Sequence, residues 1–195
     1  MAELKWDIRA EKKLQEIRTR DDEGNPIIEG YFVVFDGVYN ITDGVTESVD
    51  RHAFDETIGG DIRILVDHDT RLVLGRTGAG TAELRVDERG VWGKAVINPN
   101  DTDAMNAHAR VERGDVTQGS FGFDILAEET EYRDDGSVHF TIKQVELYEL
   151  SVVTFPAYED TSISARKKQA DEIKARTIDA WKEKTLHMLK GEKDA

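Results

Sequence analysis

Turn signals recur up to about residue 160, and between them stand short runs rich in apolar, β-branched and aromatic residues. Such runs end before a helix of ordinary length can form, so the pattern points to a mainly β fold. Asp21-Asp22-Glu23-Gly24-Asn25-Pro26 separates Leu14–Thr19 from the apolar run Ile27–Phe35, the pattern of a hairpin. Ile62–Val66 predicts a strand leading into His68, and Thr81–Asp87 and Val91–Ile97 predict two more, joined through Glu88-Arg89-Gly90. Asp134-Asp135-Gly136 predicts a turn between strands over about 123–132 and 138–146. Val145–Phe155 reads as a long strand stopped by Pro156.

Helical spacing is confined to three places. Arg51–Ile58 predicts a short helix with Phe54 and Ile58 on one face, ended by Gly59-Gly60. Asn100–Arg113 predicts a longer one, with Asn100 or Asp101 as cap, Met105, His108 and Val111 at helical spacing, and Gly114 as terminator. After Ser164 the composition shifts to Lys, Glu, Ala and Arg, with no Gly or Pro until Gly191. There Ile178, Trp181, Thr185 and Met188 form a narrow helical stripe. The expected class is therefore α+β: a mainly β domain over residues 1–164, and a charged helical tail over 165–195 that docks on it or binds a partner.

Composition excludes several classes of function. There is no cysteine, so disulfides, a thiol nucleophile and cysteine-ligated zinc are ruled out. Forty acidic residues against 26 basic ones give a formal net charge of −14, which argues against nucleic acid as the main partner. No run approaches the ~20 apolar residues that span a bilayer, and Met1–Trp6 lacks the apolar core of a signal peptide. The expectation is an intracellular protein with no membrane partner.

Chemistry is suggested first by Thr117-Gln118-Gly119-Ser120-Phe121-Gly122-Phe123. On a strand, Gln118, Ser120 and Gly122 share one face, and the flanking glycines leave the hydroxyl open to a substrate carbonyl. Acyl transfer by serine needs a base and a group that orients the base. His68, in Val66-Asp67-His68-Asp69 at the end of an apolar run, is the best candidate base. Period-two alternation in Val145–Val153 puts Glu149 on the face of Val145, Leu147, Ser151 and Val153. A carboxylate there needs a partner, and an imidazole N–H would serve. Glu146, on the opposite face, stays open as the third member. His52, His108, His139 and His187 are weaker candidates. Asp67, His68 and Asp69 could alternatively join in a divalent-metal site, although three adjacent residues converge poorly on one ion. No metal or cofactor is expected.

Several segments, taken in order, resemble the prohead maturation proteases of tailed bacteriophages, distant relatives of the herpesvirus capsid assembly proteases. They are Glu29–Phe35, Arg51-His52-Ala53-Phe54, Val66–Asp69 followed by Leu74-Gly75-Arg76, Gly119–Phe123, and Glu149–Ala157. The resemblance covers about residues 10–165. It implies a compact β-barrel-like serine endopeptidase in which His68 is the base, Ser120 the nucleophile and Glu149 the third member. Where the family often has methionine before the serine, this chain has Gly119. The resemblance further implies cleavage of the scaffolding protein or the major capsid protein, and of the protease itself, inside the immature capsid in the host cytoplasm. By the same resemblance the tail is a packaging or self-cleavage segment, and homo-oligomerisation is a means of control. A non-catalytic capsid assembly module on the same fold is the rival reading.

Overall fold

The computed structural model describes residues 7–10, 17–22, 24–35, 37–155 and 160–189. Its strands are β1 (Asp7–Ala10), β2 (Arg18–Asp22), β3 (Asn25–Val34), β4 (Tyr39–Thr42), β5 (Val45–Val49), β6 (Arg63–Val66), β7 (Asp69–Arg76), β8 (Ala82–Val86), β9 (Gly90–Val96), β10 (Gln118–Tyr132) and β11 (Val138–Val153). Helix α1 spans Thr102–Arg113 and α2 spans Asp160–Leu189. The class is the expected α+β. The hydrogen bonds define a seven-stranded sheet, built on β1-β10-β11-β5-β4 with β6 and β7 attached, and a four-stranded sheet ordered β2-β3-β9-β8.

The long strand β11 organises the larger sheet. One edge pairs antiparallel with β10. The other pairs parallel with β5 through Val138–Ile142 and with β6 through Glu149–Val152. Between those two ladders the Arg51–Ile58 segment lies against the same edge. It is a run of turns and not the expected helix. A helix would need Thr57 N–H to donate to the Ala53 carbonyl, but Thr57 N–H donates to Phe54, and Ala53 O accepts from Val145 N–H at 3.1 Å. The Thr57 hydroxyl in turn accepts the Leu147 N–H at 2.9 Å. The segment thus satisfies strand-edge amides that would otherwise be buried and unpaired.

The sheets pack through an aromatic core. Phe54 lies 6.1 Å from Phe35 and 5.9 Å from Phe121, and Phe121 stacks on Phe123 at 4.6 Å between ring centroids. All but Phe35 are fully buried. Gly119 is where β10 meets β3: a Cβ there would stand 2.9 Å from the Phe32 ring and 3.1 Å from its Cα. This glycine admits the facing strand, so its role is sheet packing and not substrate access.

The β2–β3 hairpin turns at Gly24 as expected, although Leu14, Gln15 and Glu16 of its first arm lie outside the described residues. Asp101 caps α1, accepting from Asp103 and Ala104 N–H, and Gly114 ends it at φ 86°. Its buried face is Ala104, Ala107 and Val111, with Met105 partly covered. The strands expected over 138–146 and 145–155 are the single β11, and the serine segment and 123–132 are the single β10. Pro156 lies outside the described residues. Helix α2 begins at Asp160 and packs through Ala170 and Ile173, leaving Ile178 and Trp181 exposed. Among the described residues, no helix is long and apolar enough to cross a membrane.

Candidate active site

Ser120 stands near the start of β10, opposite Ser151 of β11, while Gly122 stands opposite Glu149. Directly opposed residues of an antiparallel pair project to the same face. Ser120, Ser151 and Glu149 therefore share one face, and Phe121 with its partner Leu150 takes the other, toward the aromatic core. Ser120 is fully buried.

The register shifts between Gly122 and Phe123, so that Glu149 pairs with Gly122 but Leu147 pairs with Phe123, with Tyr148 as the extra residue. The bulge reverses the face on which each later residue falls. The simple alternation that grouped Glu149 with Val145 and Leu147 is corrected here: Glu149 shares its face with Ser151, across the sheet from Leu147 and Leu150. Because of this bulge Leu147 and Val145 turn to the opposite face, toward the aromatic core, while Glu149 stays beside Ser151. Glu146, the other acidic candidate, is exposed.

His68 comes from the turn between β6 and β7, which pair as Val66↔Asp69 across only two central residues. Both central residues are left-handed, Asp67 at φ 48° and His68 at φ 58°, the pattern of a type I′ hairpin that usually takes Asn-Gly. Two non-glycine residues in that region cost about 1–2 kcal/mol each. Bonds to the end of β11 hold the turn. Asp67 N–H donates to the Val152 carbonyl at 2.9 Å. The Asp67 carboxylate accepts from Thr154 N–H at 2.8 Å and from its hydroxyl at 3.3 Å. His68 N–H donates to Ser151 Oγ at 3.2 Å.

The imidazole then points its Nδ1 at Glu149 Oε1, 2.6 Å away, and Glu149 Oε2 accepts from the Ser151 hydroxyl at 2.6 Å. The Glu149 side chain is 2% exposed and that of His68 11%. A carboxylate accepts, so this contact calls for a proton on Nδ1, and a neutral ring bound this way keeps its lone pair on Nε2. That Nε2 is buried and has no hydrogen-bond partner among the described residues. A histidine held this way, with its free nitrogen in a nearly dry site, is arranged to accept a proton.

The other histidines differ. His139 has both nitrogens occupied, by Thr46 Oγ1 at 2.7 Å and Ser48 Oγ at 2.9 Å, and burial pushes its pKa below the ordinary value. His52 is an exposed partner of Asp55. Among the described residues, His108, on α1, has a buried Nε2 with no partner and no carboxylate on its ring. The side chain of His187 lies outside the described ones. The metal alternative loses its geometry, because Asp67 turns to Thr154, His68 to Glu149 and Asp69 to Arg71. The Arg71 guanidinium holds the Asp69 carboxyl at about 2. Among the described residues, no group of three or more such side chains could hold an ion.

His68 and Glu149, singled out in the sequence, are thus in direct contact, and Ser120 lies on the same face of the sheet. Sequence reasoning missed the roles of Ser151, Asp67 and Thr154. The pairing of Ser151 with Glu149 two positions away had a readable signal, whereas Thr154 had none.

Comparison with known proteins adds independent information. Residues 13–176 match the family described as caudovirus prohead serine protease. The chain is 26% identical over 181 residues to the prohead protease of Enterobacteria phage HK97, covering 91% of this chain and 76% of that protein. The bacteriophage T4 capsid assembly protease resembles 80% of this chain over 100% of its own, at a TM-score of 0.48 and 12% identity. A structural likeness that loose carries no functional weight.

Proposed function

We propose, for a chain that belongs to the caudovirus prohead serine protease family, that Ser120, His68 and Glu149 are its catalytic triad. Membership makes the chain a serine protease of capsid maturation, with capsid proteins as partners. The observation that carries the residue assignment is the imidazole of His68. A buried carboxylate fixes it through Nδ1, its Nε2 has no partner among the described residues, and it sits against the face that bears Ser120.

In this mechanism His68 Nε2 removes the Ser120 Oγ proton as the oxygen attacks the peptide carbonyl. The tetrahedral intermediate collapses to an acyl-enzyme, and the imidazolium gives its proton to the departing amine. A water, deprotonated by the same nitrogen, then releases the acyl group and restores the serine. Glu149 keeps the Nδ1 proton in place and stabilises the imidazolium without taking the proton itself. Backbone N–H groups stabilise the oxyanion.

The finer assignments belong to the same proposal. The substrates are the scaffolding protein and the major capsid protein, with self-cleavage, inside the immature capsid in the host cytoplasm. Residues 1–164 form the protease domain, and 165–195 a charged tail for packaging or self-cleavage. Homo-oligomerisation would tune activity. Burial of Ala170 in the domain core supports a tail anchored at its root, with Ile178 and Trp181 left for a partner.

Intact-mass analysis after co-expression with the cognate capsid and scaffolding proteins tests the reading. Discrete cleavage products are expected with the wild type and none with a folded Ser120→Ala variant. Equal cleavage by both would overturn the assignment. Assembled shells without cleavage in either would favour the non-catalytic assembly module.

A further inference from the structure

Among the described residues, Ser151 is the one side chain hydrogen-bonded to both halves of the base assembly. Its hydroxyl donates to Glu149 Oε2 at 2.6 Å, and its oxygen accepts the main-chain N–H of His68 at 3.2 Å. It is fully buried, and it stands directly opposite Ser120 in the β10–β11 ladder. We infer that Ser151 is a positioning residue for the reaction, acting through Glu149 and the His68 turn. The inference rests on the triad reading above.

The physical argument concerns two loose ends. The terminal torsion of a glutamate is broad, so one hydrogen bond does not fix the plane of its carboxylate. With Oε1 on His68 and Oε2 on Ser151, both oxygens are tied and the plane is set. The second loose end is the left-handed backbone of His68, for which Ser151 supplies the acceptor. One hydroxyl therefore ties the carboxylate and the imidazole-bearing backbone to the same point on β11. A hydroxyl offers one proton and two lone pairs, and Ser151 uses the proton and one pair here. With its proton given to Glu149, Ser151 is a support and not a second nucleophile.

The test uses the whole chain and a fluorophosphonate probe, whose phosphorus forms a bond to an activated serine oxygen as fluoride leaves. Saturation kinetics separate the maximal labelling rate from the half-saturating concentration. Ser151→Ala is expected to lower the maximal rate roughly tenfold to hundredfold, with the half-saturating concentration unchanged, because the nucleophile is intact but its base is misdirected. Glu149→Gln should lower it at least as much. The double variant should label no more slowly than Glu149→Gln alone, since the two residues act as a unit. Ser151→Cys preserves the packing with a weaker donor and provides the same reading if the alanine variant does not fold.

Wild-type labelling by Ser151→Ala overturns the inference. So does a double variant slowed by the full product of the single effects, which would mean that Ser151 does not work through Glu149. Failure of the triad reading looks different: the wild type does not label, Ser120→Ala still labels, or Glu149→Gln labels at the wild-type rate.

Discussion

Two hairpin turns in this protein solve the same geometric problem in opposite ways. The β2–β3 turn uses Gly24 at φ 84°, exposed, with nothing near the position a Cβ would take. The β6–β7 turn sets Asp67 and His68 in the same left-handed region with no glycine at either central position. The first is relaxed because glycine meets no steric penalty there. The second persists because Val152, Ser151 and Thr154, on or just past β11, take up its backbone and carboxylate. Strain held by its surroundings is common where a side chain must be aimed. Here it aims the imidazole at Glu149.

If the strained turn exists for its imidazole, variants should separate aim, chemistry and stability. The largest effect is expected from His68→Asn. Asparagine accepts left-handed geometry but cannot act as the base, so cleavage should fall by on the order of a thousandfold or more while the fold remains. Circular dichroism and a cleavage assay on one preparation check this. Glu149→Gln should reduce the rate by roughly a hundredfold or more, since an amide can set the wrong tautomer of the ring. Asp67→Ala removes the bonds to Thr154 and should cost about 1–2 kcal/mol of stability, with a smaller fall in rate as the turn loosens. Denaturant unfolding and kinetics on the same variant measure both. Gly24→Ala strains the relaxed turn by about 1 kcal/mol and should leave the cleavage rate unchanged. A loss of activity in Gly24→Ala comparable to that in Asp67→Ala would remove the distinction between the hairpins.

His139 supplies a pH counterpart on the same strand. Its pKa is lowered by burial, so the folded protein prefers the neutral ring. The unfolded chain then binds a proton first as the pH drops through about 6.5, and this contribution to stability is lost progressively below that point. His139→Gln should flatten the fall in melting temperature over that range.

The sequence revealed the candidate site residues more readily than their arrangement. Ser120 between glycines, His68 at the end of an apolar run and Glu149 in an apolar strand were all readable, because each breaks its local pattern. Alternation also places Glu149 beside Ser151, but not Val145 and Leu147 on the opposite face, since an extra residue at Tyr148 shifts the register and alternation carries no sign of a bulge. Arg51–Ile58 has helical spacing, but hydrogen bonds to Val145 and Leu147, nearly a hundred residues away, decide its form. The short strands β4 and β5 escaped notice although Thr42-Asp43-Gly44 marks their turn, and β7 did because its turn has no glycine at its two central positions.

The central claim is that His68 activates Ser120 and not its neighbour Ser151. The most direct measurement is peptide mapping, by mass spectrometry, of the fluorophosphonate adduct on the wild type and on His68→Asn. The account requires a single adduct on Ser120 in the wild type and none in the variant. An adduct on Ser151, or one on Ser120 that forms equally fast without His68, would contradict it.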